Sequence, residues 1–217
     1  MVSMKTYASR KEWLEARTSY IGGSDASAVV GMNPYMNNIE LWNYKTGKAQ
    51  PHDISFEDFV KYGHDAEMHL RELFRLDYPR YEVLYEDNNM WTNTDYPFAH
   101  ASLDGWLVDK ATGRKGILEI KTTNILQSMQ KEKWNHRIPD NYYIQVLHYL
   151  MVTEFDFAIL KAQLKYEYAD DIFLTTKHYM IERSDVEEDI KYLANAEQRF
   201  AENIRNNKKP ALILPNI

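Results

Sequence analysis

The amino-acid sequence predicts an α/β or α+β fold in which a central mixed β-sheet is flanked by helices. Three observations predict it: apolar residues recur at helical spacing before Pro79, a strand-like pattern follows up to residue 121, and helical spacing returns after residue 124. The chain has 217 residues, of which 44% are hydrophobic and 27% are charged, as is typical of a folded globular protein. No repeat or linker interrupts the chain, so we expect one domain.

Four helices are expected before residue 80. The longest opens at 55–58, where Ser55 begins a sequence that resembles a capping box, and it ends before Pro79. The helix before it is bracketed by Asn38 as N-cap and by Gly47 as C-terminal stop. The three shorter helices are expected at residues 10–20, 24–31 and 38–46.

Strands are expected in the middle of the chain. The last two are joined by the turn-rich residues 109–113, so they form a candidate antiparallel hairpin. The four strands are expected at residues 81–85, 90–92, 101–108 and 116–121. Further on, we expect helices at 124–135 and 141–152, strands near 156–165 and 171–181, and a final helix at about 184–206.

The hairpin carries three charged residues that point to chemistry. If it is symmetric about the 111–112 turn, Asp104 lies opposite Glu119 with both side chains on one face, and Lys121 shares that face. Facing carboxylates repel unless a divalent cation lies between them, and oxygen ligands suit Mg²⁺ or Mn²⁺. A metal with a lysine beside it is what phosphodiester hydrolysis requires. A solvated surface hairpin is the alternative interpretation.

Composition excludes several other classes of protein. The absence of cysteine excludes disulfides, thiolate metal sites and a cysteine nucleophile. The 26 basic and 32 acidic residues give a net charge of -6, so a DNA enzyme would need to concentrate its positive charge locally. Residues 22–26 are similar in sequence to the nucleophile elbow of serine hydrolases. The strand-turn-helix context that this elbow requires is missing, so a serine hydrolase is not expected. The lack of long apolar runs and of a signal-peptide pattern predicts no membrane span and a cytoplasmic protein.

An ordered set of motifs between Trp13 and Thr153 carries a family resemblance. Asp104 followed by 119–121 matches the D…(D/E)xK signature of the restriction-enzyme-like, or PD-(D/E)xK, nucleases. More narrowly, the chain resembles the lambda-type phage exonucleases, also called the YqaJ viral recombinase family. The matching motifs are WLEAR at 13–17, IGGSD at 21–25, GHDAE at 63–67, ASLDG at 101–105, LEIKT at 118–122 and QVLHY at 145–149.

The resemblance implies a restriction-endonuclease-like core and a single nuclease domain over residues 1–217. Within it, the resemblance implies a helical N-terminal part at about 1–80, a catalytic hairpin at about 100–122 and a C-terminal helix at about 184–206.

Residues outside the hairpin gain roles through the same resemblance. Gly63 inside a helix costs about 1 kcal/mol relative to alanine, so another part of the protein is expected to approach the helix closely there, one turn before Glu67. Glu67 itself could instead be an ordinary exposed residue. Gln145 and Tyr149 share a helix face, and core packing alone would also explain Tyr149. The implied catalytic residues are Asp104, Glu119, Lys121, Glu67 and Gln145. The implied ligands of two Mg²⁺ or Mn²⁺ ions are Asp104, Glu119, the Ile120 backbone carbonyl and Glu67.

Two sets of residues are expected to contact DNA. The resemblance implies that Arg17 and Ser24 bind the 5′-phosphate; Ser24 is a natural N-cap and arginine can fork onto phosphate oxygens. A common helix cap explains Ser24 equally well, and Asp25 beside it would repel a phosphate. Basic residues after the catalytic strand could line a DNA channel or form a solvated helix face. These are Lys131, Lys133 and Arg137.

The resemblance further implies a Mg²⁺-dependent deoxyribonuclease of phage or prophage recombination. It would degrade linear double-stranded DNA from 5′-phosphorylated ends and leave 3′ single-stranded overhangs. Its implied partners are linear duplex DNA, a phage single-strand annealing protein and further copies of itself in a homotrimeric ring, in the cytoplasm of a bacterial host. An endonuclease or other DNA-structure nuclease of the same fold, and a non-catalytic DNA-end-binding protein, remain as alternatives. The presence of Asp104, Glu119 and Lys121 argues against the last.

Overall fold

Helices and strands follow one another in the order that the sequence predicts, except that a strand is added at the beginning and the strand expected at 101–108 is divided into two. A computed structural model describes residues 1–51, 54–169 and 171–214. The described elements are β1 (Val2–Thr6), α1 (Arg10–Arg17), α2 (Gly23–Val29), α3 (Asn38–Lys45), α4 (Asp58–Asp77), β2 (Tyr81–Leu84), β3 (Asn89–Asn93), β4 (His100–Ala101), β5 (Gly105–Asp109), β6 (Lys115–Asn124), α5 (Ser128–Glu132), α6 (Asp140–Thr153), β7 (Phe157–Tyr168), β8 (Asp171–Glu182) and α7 (Glu187–Arg205).

The central sheet has five strands in the order β2-β5-β6-β7-β8. Only the β6–β7 pair is parallel, and α6 lies in the crossover that a parallel connection requires. The other pairs are antiparallel, so the sheet is mixed. A second sheet has the order β1-β3-β4. The predicted α+β class with a central mixed sheet flanked by helices is therefore confirmed.

Helices α4 and α6 cover opposite faces of the central sheet. Leu70 and Phe74 of α4 pack in one cluster with Leu118, whereas Leu147 of α6 packs in another cluster with Ile117. Neighbouring residues of a strand point to opposite faces, so β6 presents its odd-numbered residues to α6. Burying side chains of this size stabilises the fold by roughly 2 kcal/mol each. The alternation places residue 119 on the α6 side.

The β5–β6 hairpin has the predicted register. Gly105 pairs with Leu118, and the same offset puts Asp104 opposite Glu119, immediately beyond the last pair. The prediction of one continuous strand over 101–108 is wrong, because residues 102–104 leave the ladder between β4 and β5. The Asn89 side chain replaces a strand partner there: its amide bonds both the N–H and the carbonyl of Leu103, each at 2.9 Å.

Several predicted helix boundaries are wrong. The N-cap of α3 is Asn37, whose side chain accepts bonds from the N–H groups of residues 39 and 40; Asn38 is buried and binds the backbone of residues 211 and 213 instead. The N-cap position of α4 is Glu57, so the expected capping box at Ser55 does not form the helix start. The helix expected at 124–135 is only Ser128–Glu132, because β6 stays paired with β7 as far as Asn124.

The N-terminal strand β1 was not predicted. It pairs with β3 from Val2 opposite Asn93 to Thr6 opposite Asn89, a partner far along the chain.

Within the described residues, no helix is both long and apolar enough to cross a membrane.

Candidate active site

Glu119 is buried between the central sheet and α6, with 1% of its surface exposed. Its Oε1 accepts a hydrogen bond from Gln145 Nε2 at 2.8 Å and lies 2.6 Å from Lys121 Nζ. Its Oε2 is buried and has no hydrogen-bond partner among the described residues. Burial, and next the nearby Asp104 carboxylate, raise the pKa of Glu119 to about 8. The Lys121 ammonium lowers the pKa of Glu119 but does not offset burial and the second carboxylate.

Asp104 stands at the end of the hairpin ladder beside Glu119. Its Oδ2 accepts a hydrogen bond of 2.8 Å from the backbone N–H of Ile120. Burial raises the pKa of Asp104, although the Lys121 ammonium and this hydrogen bond act in the opposite direction. The bond fixes the aspartate carboxylate across the two strands of the hairpin.

The Lys121 ammonium is the hairpin cation that contacts Glu119. Burial lowers the pKa of Lys121, but the carboxylates of Glu119 and Asp104 outweigh burial and raise the pKa above its usual value. The ammonium also lies 5.1 Å from the centre of the Tyr142 ring. Lys121 is therefore protonated at neutral pH and acts as a positive charge beside the carboxylates.

Glu67 approaches the hairpin from α4. Its Oε1 accepts a hydrogen bond of 3.1 Å from Arg71 Nη1. Burial, and next the Asp104 carboxylate, raise the pKa of Glu67 to about 7. The close approach predicted at Gly63 exists, because a Cβ there would lie 3.1 Å from Thr122 Oγ1 on β6. Helix α4 thus passes close to β6 one turn before Glu67.

Gln145 and Tyr149 face the hairpin from α6. Gln145 Nε2 donates to the Tyr149 hydroxyl at 2.8 Å as well as to Glu119, so the glutamine connects both. Tyr149 is buried in the core, as the packing interpretation expects, and its hydroxyl contacts Gln145. A Cβ on Gly23 would lie 2.3 Å from the Tyr149 ring, so α2 requires glycine where it meets α6.

A cavity of about 350 Å³ connects the carboxylates with α1. Arg17 lies over the Trp13 ring at 4.1 Å, and Trp13 Nε1 donates to the backbone carbonyl of Asn89 at 3.0 Å. The guanidinium of Arg17 is partly desolvated, and this burial lowers the pKa of Arg17. The lining of the cavity includes Arg10, Trp13, Arg17, Glu67, Asp104 and Tyr149.

Ser24 is not the N-cap that the sequence predicts. The N-cap of α2 is Gly22, whose N–H donates to Asp25 Oδ2 at 3.0 Å, and Ser24 is an exposed residue in the first turn. The Asp25 carboxylate, expected to repel a phosphate, is paired with Lys45 Nζ at 2.7 Å. Ser24 is not part of the cavity lining, so the structure does not bring it together with Arg17 in that cavity.

The basic residues after β6 lie apart from this cavity. Only Lys131 is on α5, with its ammonium 5.2 Å from the centre of the Tyr166 ring. Lys133 is the C-cap residue and Arg137 follows in the loop. The last two line a separate cavity of about 190 Å³. The three side chains therefore do not form one face of a helix, because α5 is too short.

Whether the site suits a divalent cation depends on its donors. In residues 1–51, 54–169 and 171–214, no three Asp, Glu or His side chains converge as a ready ligand set. Glu67 is turned to Arg71, and Glu119 to Lys121 and Gln145. However, Oε2 of Glu119 is buried without a hydrogen-bond partner among the described residues, and the Asp104 carboxyl lies beside it on the hairpin. Hard carboxylate oxygens in such an arrangement fit Mg²⁺ or Mn²⁺.

Sequence reasoning missed Arg71 and did not use Trp13 beyond its motif. Arg71 follows Glu67 by four residues on α4, a spacing at which opposite charges meet on one helix face. Trp13 precedes Arg17 by four residues on α1, the same spacing for an aromatic ring and a cation. Both contacts could have been found from the spacing alone.

Known proteins share both sequence and fold with this chain. Residues 12–156 match the profile of the YqaJ-like viral recombinase domain. Protein YqaJ of Bacillus subtilis (strain 168) is 35% identical over 144 residues, which are 66% of this chain and 42% of that relative, so the chain spans less than half of the relative's length.

Two solved structures are similar in fold. The alkaline exonuclease LHK-Exo from Laribacter hongkongensis superposes with a TM-score of 0.61 at 16% identity, covering 91% of this chain and 96% of that chain. It has also been solved in complex with dAMP. A phage related exonuclease from Haemophilus somnus 129PT gives a TM-score of 0.57 at 13% identity, covering 87% and 96%.

Proposed function

The chain belongs to the YqaJ-like viral recombinase domain family, and on this basis we propose that it is a metal-dependent DNA nuclease. Its reaction is hydrolysis of phosphodiesters in linear double-stranded DNA, from 5′-phosphorylated ends in the 5′ to 3′ direction, leaving 3′ single-stranded overhangs for phage or prophage recombination. The observation that carries this proposal is the cavity that contains Arg17 together with Asp104 and Glu67. An end-binding cation and carboxylates in one cavity suit cleavage beside a terminal phosphate.

The carboxylates provide the proposed metal site. Asp104, Glu119, the Ile120 backbone carbonyl and Glu67 would hold two Mg²⁺ or Mn²⁺ ions. When bound, the metal activates water and neutralises the charge that develops on the phosphate. Lys121 remains protonated and adds positive charge at the same place.

Gln145 has an orienting task in the proposed mechanism. Its amide holds Oε1 of Glu119, which leaves Oε2 without a partner among the described residues and available to a cation. The second hydrogen bond, to the Tyr149 hydroxyl, keeps the amide from rotating. The carboxylate is therefore oriented before any metal or DNA arrives.

Substrate binding is proposed to begin at the phosphate end. The Arg17 guanidinium can make two parallel hydrogen bonds to a 5′-phosphate, and its burial strengthens them. Ser24 is exposed in the first turn of α2 and is accessible to the DNA strand that carries this 5′-phosphate. Lys131, Lys133 and Arg137 contact backbone phosphates of the duplex. These contacts set the position of the end relative to Asp104.

We propose that the whole chain acts as one nuclease domain and assembles as a homotrimeric ring around DNA. A ring needs positive groups only toward its channel, which is compatible with a net charge of -6. A phage single-strand annealing protein is the proposed recipient of the 3′ strand, in the cytoplasm of the bacterial host.

A directional digestion tests the proposed function. Linear duplex labelled at either the 5′ or the 3′ end is incubated with Mg²⁺, and the released label is followed in time. We expect the 5′ label to be released first as mononucleotide while the 3′ label stays in long strands. Early release of the 3′ label would contradict the polarity, and long internal fragments would indicate an endonuclease. Binding to ends without cleavage would indicate a DNA-end-binding protein.

A further inference from the structure

Arg71 is a buried guanidinium at the junction of α4 and the hairpin. Only 5% of its surface is exposed, although a free arginine charge strongly prefers water. Nη1 donates to Glu67 Oε1 at 3.1 Å and also to the main-chain carbonyl of Asp104. A single side-chain atom therefore joins two residues of the candidate metal site that come from different elements.

The contact to Asp104 lies where strand pairing is missing. The paired part of β5 begins at Gly105, and residues 102–104 are outside the ladder. The Arg71 side chain is adjacent, since a Cβ on Gly105 would lie 3.4 Å from Arg71 Cδ. Arg71 thus supports the backbone of Asp104 from the side of α4, where the sheet does not.

An aromatic ring fixes the plane of the guanidinium. Arg71 Cζ lies 3.5 Å from the centre of the Tyr85 ring, a stacking distance for a planar cation. A lysine ammonium cannot reproduce stacking and forked donation together. Arg71 is therefore held on its flat face by Tyr85 and at its edge by Glu67 and Asp104.

We propose that Arg71 is a positioning residue that sets the separation of Asp104 and Glu67 and so prepares the carboxylates to bind a divalent cation. The inference rests on the proposed function, because it assigns a metal to these carboxylates. Mutation of a residue that hydrogen-bonds a metal ligand typically lowers metal affinity by about 10-fold to 100-fold. Arg71 acts through its two partners and does not itself contact the metal.

The matched control is one turn further along α4. Arg75 also pairs with a glutamate of α4, Glu72, and also donates to a backbone carbonyl, that of Val83 at 2.9 Å. Its contacts are away from Asp104 and Glu67. Arg75→Lys therefore changes the same chemistry on the same helix without altering the contacts of the carboxylates.

The test measures Mn²⁺ binding by calorimetry, without DNA, for the wild type, Arg71→Lys and Arg75→Lys. We expect Arg71→Lys to bind Mn²⁺ about tenfold more weakly, and Arg75→Lys to bind as the wild type does. Cleavage by Arg71→Lys should recover at raised Mg²⁺ concentration, which a general loss of folding would not allow. Tyr85→Leu, which removes the stacked ring, should weaken Mn²⁺ binding in the same direction if Arg71→Lys does not fold.

The two claims fail in different ways. Mn²⁺ binding by folded Arg71→Lys with wild-type affinity, or equal weakening in Arg75→Lys, would overturn the role of Arg71 and leave the nuclease proposal intact. A wild type that neither binds Mn²⁺ nor cleaves DNA would overturn both.

Discussion

The side-chain amide of Gln145 donates a 2.8 Å hydrogen bond to the buried carboxylate of Glu119. The same carboxylate oxygen lies 2.6 Å from Lys121 Nζ, so both donors contact one oxygen of the carboxylate. The other oxygen is buried without a partner among the described residues. This asymmetry gives the carboxylate a direction, and it connects α6 with the hairpin.

Replacing the glutamine should therefore lower both the cleavage rate and the stability. We expect Gln145→Ala to lower the cleavage rate about tenfold, because the Glu119 carboxylate loses a donor that orients it. The unfolding free energy should fall by about 1 to 3 kcal/mol, the cost of an unmet buried acceptor. Rates and urea denaturation measure the two effects. The control is Gln198→Ala, an exposed position on α7. Undiminished cleavage by Gln145→Ala would contradict the orienting role.

The effects of substituting Lys121 and Glu119 on the free energy of unfolding should not be additive. At about pH 9, above the pKa of Glu119, Lys121→Met leaves a buried carboxylate without its ammonium partner, which we expect to cost roughly 3 kcal/mol in the metal-free protein. Adding Glu119→Gln removes the orphaned charge, so the double variant should be more stable than Lys121→Met alone. A double-mutant cycle from urea denaturation measures the coupling. Strictly additive losses would show that the ion pair is not formed in solution.

Stability without metal should depend on pH through two carboxyls. Glu119 has a pKa of about 8 and Glu67 of about 7, both above the ordinary value of a glutamate, so the folded protein holds protons that the unfolded chain releases. Their stabilising contribution is complete at acidic pH and is lost as the pH rises through about 7 to 8.

A divalent cation competes with these protons. We therefore expect Mg²⁺ to raise the melting temperature more at about pH 9 than at about pH 6. Melting curves with Mg²⁺ and with chelator measure the difference. A Mg²⁺ effect that is constant or larger at low pH would contradict the assignment of the carboxyls.

The glycines of the family motifs should respond differently to alanine. Gly23→Ala places a methyl 2.3 Å from the Tyr149 ring, so we expect a loss of about 1 to 3 kcal/mol as α2 shifts away from α6. Gly63→Ala meets only Thr122 Oγ1 at 3.1 Å, and the gain in helix propensity of about 1 kcal/mol offsets the contact. Thermal unfolding of both variants checks this order. A Gly23→Ala protein as stable as the wild type would contradict the packing of α2 against Tyr149.

Local patterns were sufficient for the hairpin. A symmetric turn determines which residues face each other, so the alignment of Asp104 with Glu119 could be predicted from the sequence. The placement of Gln145 toward Glu119 followed from helix spacing and the family motif. The short-range information in the sequence thus located the centre of the candidate site.

Contacts between distant segments were not predictable in the same way. Strand β1 depends on pairing with β3, and the break before Gly105 depends on the Asn89 side chain bonding Leu103. Ser24 was predicted as an N-cap, but Gly22 and Asp25 form the start of α2 together. Each difference arises where a tertiary partner or a neighbouring residue competes with a local preference.

The central claim joins a DNA end in the Arg17 cavity to metal-dependent cleavage at Asp104 and Glu119. The most direct test digests 5′-phosphorylated linear duplex, 5′-hydroxyl linear duplex and closed circular duplex, each with Mg²⁺ or with chelator. Lys121→Ala tests the chemistry and Arg17→Ala tests the end, with Lys11→Ala as the control for an exposed cation on α1.

We expect loss of linear DNA only, fastest with the 5′-phosphate, requiring Mg²⁺ and Lys121. Arg17→Ala should remove the preference for the phosphate, and Lys11→Ala should retain it. Cleavage of the closed circle, or equal rates on both linear ends by the wild type, would contradict the account.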